Sequence, residues 1–347
     1  MLFCTYDPEA PSFRHRLAPL IPLLEARHWR CAVWQVPRGR YGLRFLEERS
    51  SVAAADLVLL AKLRLGMGEG LLMRRLARRV VFDFDDALFL SQPKADDDVA
   101  KQSWLRRRKF DLTCRTSDLV IAGNDYLAAA AGRWGRRVEV LPTPVDLAAY
   151  PRQAPADRRT RTLVWIGRPE NLRYLRTLRP ILADLAGRFP DMRLRIICSR
   201  FPDWDDVPIE RIEWSESSEV RHLASCGIGI MPLTDDGWAR GKCAFKLLQY
   251  MAAGLASVAS PVGMNREVVV DGTNGLLAGE PDEWRGALEQ LLSAPERCLA
   301  LGRAGRELVA ERYDRRLVAP RAAALLESVA APTRGAETTG HLGAASY

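Results

Sequence analysis

Lys242 and Lys246 stand four residues apart at the start of a segment, Lys242–Ala252, in which Phe245, Leu248 and Met251 or Ala252 recur at helical spacing. That spacing predicts a helix with its apolar side on a core and Lys242, Lys246 and Gln249 on a more polar side toward a crevice. The first amides of a helix have no partner and its dipole is positive there, so lysines at that end fit a phosphate-bearing ligand. A solvated basic face is the plainer reading. Trp165-Ile166-Gly167-Arg168 places a glycine and an arginine directly after an apolar run. Such a glycine lets a ligand approach the backbone, and the arginine can grip phosphate with two N–H groups, although an ordinary turn reads the same way. The loop Thr234–Gly241 adds Asp235, Asp236 and Trp238 just before Lys242.

A second constellation, Val80-Val81-Phe82-Asp83-Phe84-Asp85-Asp86-Ala87-Leu88, delivers three carboxylates at the end of a probable-strand pattern. Gathering like charges is expensive, so the cluster is either functional or neutralised by nearby cations. Asp83-x-Asp85 fits a haloacid-dehalogenase-type phosphatase, in which the first Asp attacks phosphate and the carboxylates hold magnesium, except that Ala87 occupies the Thr position. The metal-binding Asp-x-Asp of GT-A glycosyltransferases is a further match, but those lack a second nucleotide-type domain. Alternatively Asp85 or Asp86 binds an acceptor hydroxyl or helps to deprotonate it, or the cluster caps a loop and pairs with arginines. In Ser12-Phe13-Arg14-x-Arg16, Arg14 or Arg16 is placed either to contact an anion or to cover a helix. His15, His28, His222 and His341 sit in no catalytic motif.

These groups need a scaffold. Apolar runs predict strands at Leu2–Thr5, Cys31–Val36, Leu57–Ala61, Val80–Phe84, Leu119–Ala122 and Val138–Leu141, with helices over Arg14–Arg27, Gly70–Arg79, Val99–Thr116 and Asn124–Trp134 between them. Pro142–Thr160, rich in proline and charge, reads as a linker. A second series follows. Its strands are Thr162–Ile166, Arg193–Cys198, Ile209–Glu213, Ile228–Pro232 and Ala256–Ala259, and its helices are Tyr174–Phe189, Ser218–Ala224, Lys242–Ala252, Asp282–Ser293 and Pro295–Arg312. The 347 residues suit two domains of roughly 150 residues each. The expected division is a first α/β domain over 1–150, a second over 151–312, a helix over 313–330, and a disordered Gly/Ala/Thr-rich tail over 331–347. The fold class is α/β, with two Rossmann-like doubly wound domains facing across a ligand cleft.

Charge and cysteine usage narrow the partners. The net charge is +8, and residues 1–150 carry 24 Lys and Arg against 18 Asp and Glu. Solvated helix faces account for this, as would an anionic membrane surface or an anionic substrate. Nucleic acid fits poorly, because aromatic residues do not interleave with the basic clusters. Seven cysteines without close pairing suit a reducing compartment and show no metal-ligand spacing. The N-terminus does not read as a signal peptide, and no apolar run reaches the roughly 18 to 20 residues that span a bilayer. The expected location is cytoplasmic, with peripheral contact at the inner face of the membrane left open.

Several of these motifs together resemble a known family. They are Pro232-x-x-x-Asp236-Gly237, Lys246-Leu247-Leu248-Gln249-Tyr250-Met251-Ala252-Ala253-Gly254, Ser260-Pro261-Val262-Gly263, Glu267-Val268-Val269 and Asp271-Gly272-x-Asn274-Gly275, with Pro142-Thr143-Pro144-Val145-Asp146 and Asn124 earlier in the chain. The pattern is similar to retaining glycosyltransferases of the GT-B fold, family 4. The resemblance implies a nucleotide-diphosphate sugar as donor, bound by the second domain, and a hydroxyl acceptor beside the first. It implies that Arg168, Lys242 and Lys246 neutralise the diphosphate, with Gly167 at the turn. It further implies that Ile212–Ser215, including Trp214, lies by the nucleobase and that the loop Gly263–Asn265 offers amides. Only the resemblance implies that the helix over 313–330 crosses back to the first domain. No metal or other cofactor is then required. The family pattern has two glutamates separated by seven residues. Here Gln249 stands at the second, which handles ribose hydroxyls, and Gly241 at the first, with Asp236 as the nearest counterpart beside the sugar. Asp85, Asp86 and Asp236 are the candidate catalytic groups. A magnesium phosphatase using Asp83 and Asp85, and a non-catalytic nucleotide-sugar-binding protein, are the alternatives.

Overall fold

The computed structural model describes residues 1–38, 44–93, 101–152 and 159–330, with the backbone alone for 44, 159 and 160. It contains two six-stranded parallel sheets. The first is formed by β1 (Leu2–Thr5), β2 (Ala32–Gln35), β3 (Val58–Ala61), β4 (Val80–Phe84), β5 (Leu119–Ala122) and β6 (Val138–Val140), in the order β2-β1-β3-β4-β5-β6. The second is formed by β7 (Arg159–Ile166), β8 (Arg193–Cys198), β9 (Ile209–Glu213), β10 (Cys226–Met231), β11 (Ala256–Ala259) and β12 (Leu276–Leu277), in the order β12-β11-β10-β7-β8-β9. Strands buried on both faces read as continuous apolar runs, and β1, β3, β5, β10 and β11 are buried along their whole length.

In each sheet the strand order reverses once, between β1 and β3 and between β7 and β10. In doubly wound sheets a crevice opens at such a switch point, outside the carboxyl ends of the strands. Here the two crevices meet. A cavity of about 990 Å³ is lined by the loop after β1, by Lys62 after β3, by Asp85 and Asp86 after β4, by Gly167 and Arg168 after β7, and by Pro232 and Leu233 after β10.

The chain crosses between the sheets twice, and the crossings are bonded to each other. Val145 N donates to Tyr313 O at 2.9 Å, Arg315 N donates to Val145 O at 2.8 Å, and Arg315 pairs with Asp146 at 2.7 Å. The stretch expected as a plain linker therefore contains buried Thr143, Val145, Leu147 and Tyr150, and only 153–158 of it lies outside the described residues. After a π-helical turn, Val309–Tyr313, the helix Arg315–Ala330 returns to the first sheet. There Val318, Ala322, Ala323 and Leu326 share a core with Phe3, Phe13, Leu59 and Val81. Another apolar cluster continues from Phe82, Phe84 and Phe110 of the first domain to Leu247, Leu248 and Met251 of the second. The expected tail, 331–347, lies outside the described residues.

Several helices differ from their sequence reading. The expected Arg14–Arg27 helix is two short ones, Pro11–Arg16 and Leu20–Glu25, because Pro19 interrupts the backbone bonding. The Tyr174–Phe189 helix is likewise split into Leu172–Arg176 and Arg179–Arg188, with Pro180 at the start of the second. The Val99–Thr116 helix begins at Trp104, where Ser103 caps it; 99 and 100 lie outside the described residues. The largest correction concerns Lys242. Its segment first forms a short helix, Gly237–Arg240, and the next helix starts only at Phe245, because Ala244 is in the left-handed region with φ 50°. Lys242 thus stands in the turn before the helix, and Lys246 in its first turn.

Candidate active site

On the second-domain wall of the cleft, Lys242 and Lys246 converge at the end of β7. The Lys242 ammonium donates to Asn171 Oδ1 at 3.3 Å and lies 5.9 Å from the centroid of the Tyr174 ring. The Lys246 ammonium lies 4.5 Å from the centroid of the Trp165 ring. A Cβ at position 167 would collide with the Lys246 ammonium and come within 2.7 Å of the Trp165 ring, so glycine is what leaves the lysine its place there. Both lysines are half-buried, and among the described residues neither makes an ion pair. Burial lowers the Lys242 pKa. Burial together with the neighbouring Lys242 charge lowers that of Lys246 to about 7. Arg168 lines the same wall but is exposed, 3.6 Å from Glu170.

Gln249 faces the cleft one turn on from Lys246 and donates its amide to Glu219, a buried carboxylate that also accepts from Trp214 Nε1. Burial raises the Glu219 pKa against the pull of those two bonds. Trp214 keeps one face on the cavity and is covered on the other side of the cleft by Arg14, whose guanidinium lies 5.4 Å from its ring and pairs with Glu216 at 3.1 Å. Glu219 was not legible in the sequence. It lies on its own helix, Glu216–Ala224, and reaches Gln249 only through the packing of that helix beside β10.

The first-domain wall carries the three aspartates, and the fold divides them. Strand alternation sends Phe82 and Phe84 into one core and Val81 and Asp83 to the other face. There Asp83 accepts Arg16 Nε with both oxygens, at 2.8 and 2.9 Å, and Arg16 also donates to Leu141 O. Both side chains are almost fully buried. Burial pushes the Asp83 carboxyl up and the arginine opposes it. Asp85 and Asp86, past the strand end, face the cavity and hold Lys62 between them, with Lys62 Nζ 2.7 Å from Asp85 Oδ1 and in direct contact with Asp86. Lys62 follows β3 with φ 56°, a left-handed turn that aims its side chain at the neighbouring strand. The ion pairs raise its pKa.

Two predicted site residues lie elsewhere. Asp236 caps the helix Gly237–Arg240, accepting Ala239 N at 2.7 Å, with its other oxygen 3.9 Å from Arg173. It is buried behind the cleft wall, so it shapes the turn that leads to Lys242. Gly263, at φ 52°, packs against Arg240, where a Cβ would come within 2.7 Å of the Arg240 carbonyl oxygen. Glycine there permits this close approach to the end of the short helix Gly237–Arg240. Of the other predicted residues, Gly167, Arg168, Trp214, Lys242, Lys246, Gln249, Asp85 and Asp86 all line the one cavity.

The two walls touch at the floor of the cleft. Asn124 caps the helix Asp125–Gly132 and also donates across the interface to Arg240 O at 3.2 Å and Lys242 O at 3.0 Å. The Cys243 thiol donates to Asp85 O at 3.3 Å. His15 packs tilted against Phe245 with ring centroids 4.6 Å apart, and burial plus Arg14 and Arg315 lower its pKa to about 4, so it is neutral. Among the described residues no cluster of three or more His, Cys, Asp and Glu could hold a metal ion.

Residues 160–294 match the family model described as Glycosyl transferases group 1. A search of curated proteins by sequence gives no match. Among solved structures, sucrose-phosphate synthase from Thermosynechococcus elongatus superposes with a TM-score of 0.72 at 15% identity, over 94% of this chain and 98% of that one. A glycosyltransferase from Rickettsia africae gives 0.69 at 9% identity, over 96% and 99%. HepE of Anabaena, solved in complex with UDP-glucose, gives 0.67 at 16% identity, over 94% and 99%. At these identities the structural likenesses speak for the fold: two facing α/β domains of GT-B type. The segment containing both cleft lysines matches the glycosyl transferases group 1 model, and the whole chain has the GT-B architecture of the glycosyltransferases it superposes on.

Proposed function

We propose that the cleft takes a nucleotide-diphosphate sugar as donor and transfers its sugar to a hydroxyl acceptor, with retention of configuration as the family resemblance implies. The observation that carries this reading is the pair of half-buried lysines, Lys242 and Lys246, without an ion-pair partner among the described residues at the β7/β10 switch point. A buried cation without a counter-ion is costly, and a diphosphate supplies the missing charge. Trp214 offers a flat face to the nucleobase. Glu219 and Gln249 together supply the carboxylate and amide acceptors for ribose hydroxyls, so the carboxylate absent at position 249 returns from the neighbouring helix. The sugar then points at the opposite wall, where Asp86, held by Lys62, accepts a hydrogen bond from the acceptor hydroxyl. As the glycosidic bond to the donor breaks, negative charge grows on the departing diphosphate, and Lys242 and Lys246 stabilise it in place. These cations make metal-independent transfer the expectation. The arginine locked on Asp83 counts against a phosphatase, since a carboxylate bonded through both oxygens is not free to attack phosphate.

The test is a thermal-shift screen with UDP-, GDP-, ADP- and TDP-sugars, followed by an assay of nucleoside diphosphate release from the stabilising donor in excess EDTA. One donor class is expected to raise the melting temperature and to turn over with the chelator present. Stabilisation without any turnover would leave a binding protein in place of an enzyme, and no stabilisation by any donor would refute the donor site.

A further inference from the structure

Four of the five most exposed large apolar side chains of the described residues are gathered together, the fifth being Val270 of the second domain. Trp104 is 72% exposed, Leu71 66%, Met67 63% and Leu105 55%, and all four lie on two neighbouring helices, Met67–Leu76 and Trp104–Thr116. The helices run side by side. Arg108 Nη2 lies 3.2 Å from Met67 Sδ, a Cβ at Gly70 would touch Leu112, and Arg74 donates to Arg115 O at 3.3 Å. Leu71 stands one turn beyond Met67, while Leu105 and Trp104 flank Arg108, whose guanidinium lies 5.1 Å from the Trp104 ring. The apolar side chains therefore form one patch with arginine running through it. The two helices carry seven Lys and Arg residues against Glu69 and Asp111, of which Glu69 is buried and Asp111 pairs with Arg107. Single exposed apolar residues need no explanation, but a contiguous patch rimmed by one sign of charge does.

We infer that this paired-helix face of the first domain docks on an anionic lipid bilayer. A tryptophan and aliphatic side chains projecting from a cationic surface match the headgroup boundary, where the apolar groups enter the acyl margin and arginine heads meet lipid phosphates. Charge complementarity selects the bilayer: an acidic protein partner would use the arginines but leave Leu71 and Met67 unexplained. Among the described residues no helix is long and apolar enough to cross a membrane, so contact of this kind lies on the surface. Position supports the assignment as well. Arg106, on the second of these helices, lines the cleft, so a bilayer on this face lies at the cleft mouth.

Flotation of the full chain with phosphatidylglycerol-containing vesicles and with pure phosphatidylcholine vesicles tests this. The protein is expected to float with the anionic vesicles only, and to do so less as salt is raised. Leu71→Gln with Trp104→Ala, and separately Arg74→Glu with Arg75→Glu, are each expected to reduce binding more than tenfold. Both variants touch only surface groups, and an unchanged melting temperature serves as the folding control. The inference is overturned if the wild type ignores anionic vesicles, if neither variant lowers binding, or if sedimentation shows that the patch instead joins two copies of the chain, with Leu71→Gln and Trp104→Ala restoring a monomer.

Discussion

Lys246→Met is expected to weaken donor binding by roughly ten- to a hundredfold while raising the melting temperature of the free protein. The two effects share a cause. The Lys246 ammonium sits half-buried on Trp165 beside another lysine, and its pKa falls to about 7 from 10.5. A cation whose folded-state pKa lies below its unfolded value destabilises the fold in full below the folded pKa, and the cost fades as pH rises toward the unfolded one. Methionine fills a similar volume without charge. Its stabilising effect is therefore expected to be largest below pH 7 and to shrink between pH 7 and 10.5, at roughly 2–4 °C for each kcal/mol relieved. Loss of one charge-assisted contact to the diphosphate, about 1.5–3 kcal/mol, sets the fall in affinity. Melting curves over that pH range, with and without nucleotide sugar, check both halves. A variant that is less stable without ligand, or that binds donor as the wild type does, contradicts the assignment.

Asp83→Asn is expected to cost about 3–5 kcal/mol of stability, because it leaves the Arg16 guanidinium buried without its counter-ion. Among the described residues Arg16 and Asp83 are the most deeply buried ion pair of the first domain, bonded through both carboxylate oxygens beneath the cleft. The double variant Arg16→Met, Asp83→Leu removes both charges and is expected to recover most of that loss, the mark of a coupled pair. Denaturant unfolding of the two singles and the double measures the coupling. The haloacid-dehalogenase reading makes the opposite forecast: Asp83→Asn would fold normally and lose phosphate-ester turnover alone. Additive effects in the cycle would remove the structural role given to Asp83 here.

The scaffold was legible wherever the chain is buried on both sides. β1, β4, β5, β8 and β11 coincide with their apolar runs, and the half-exposed β9 with its alternating isoleucines, whereas β12 is only Leu276–Leu277, too short to show a pattern. Helix breaks were harder to see. Helical periodicity runs on through Pro19 and Pro180, and the left-handed Ala244 that displaces Lys242 from its helix has no sequence mark, since alanine seldom adopts that conformation. The two cleft lysines were visible because they adjoin a strand end and an apolar helical face. Other pairings around the cleft were not. Lys62 reaches Asp85 and Asp86 through a left-handed turn, and Glu219 meets Gln249 thirty residues away, so neither pairing leaves a local spacing to read. Asp236 illustrates the reverse. An aspartate before Gly-Trp-Ala-Arg looks chemical in a motif, yet its position serves equally as a helix cap, and that is where its oxygen goes.

The claim that a donor diphosphate rests against Lys246 is tested most directly by calorimetric titration of the nucleotide sugar at pH 8 in buffers of different ionisation enthalpy. The sugar-linked diphosphate is already fully ionised there, so proton exchange reports on the protein. With a pKa of about 7, Lys246 is mostly neutral in the free cleft at that pH, and a bound diphosphate restores its proton. Binding is expected to take up a large fraction of one proton in the wild type and much less in Lys246→Met. Binding with no proton uptake, or with the same uptake in the variant, would contradict it.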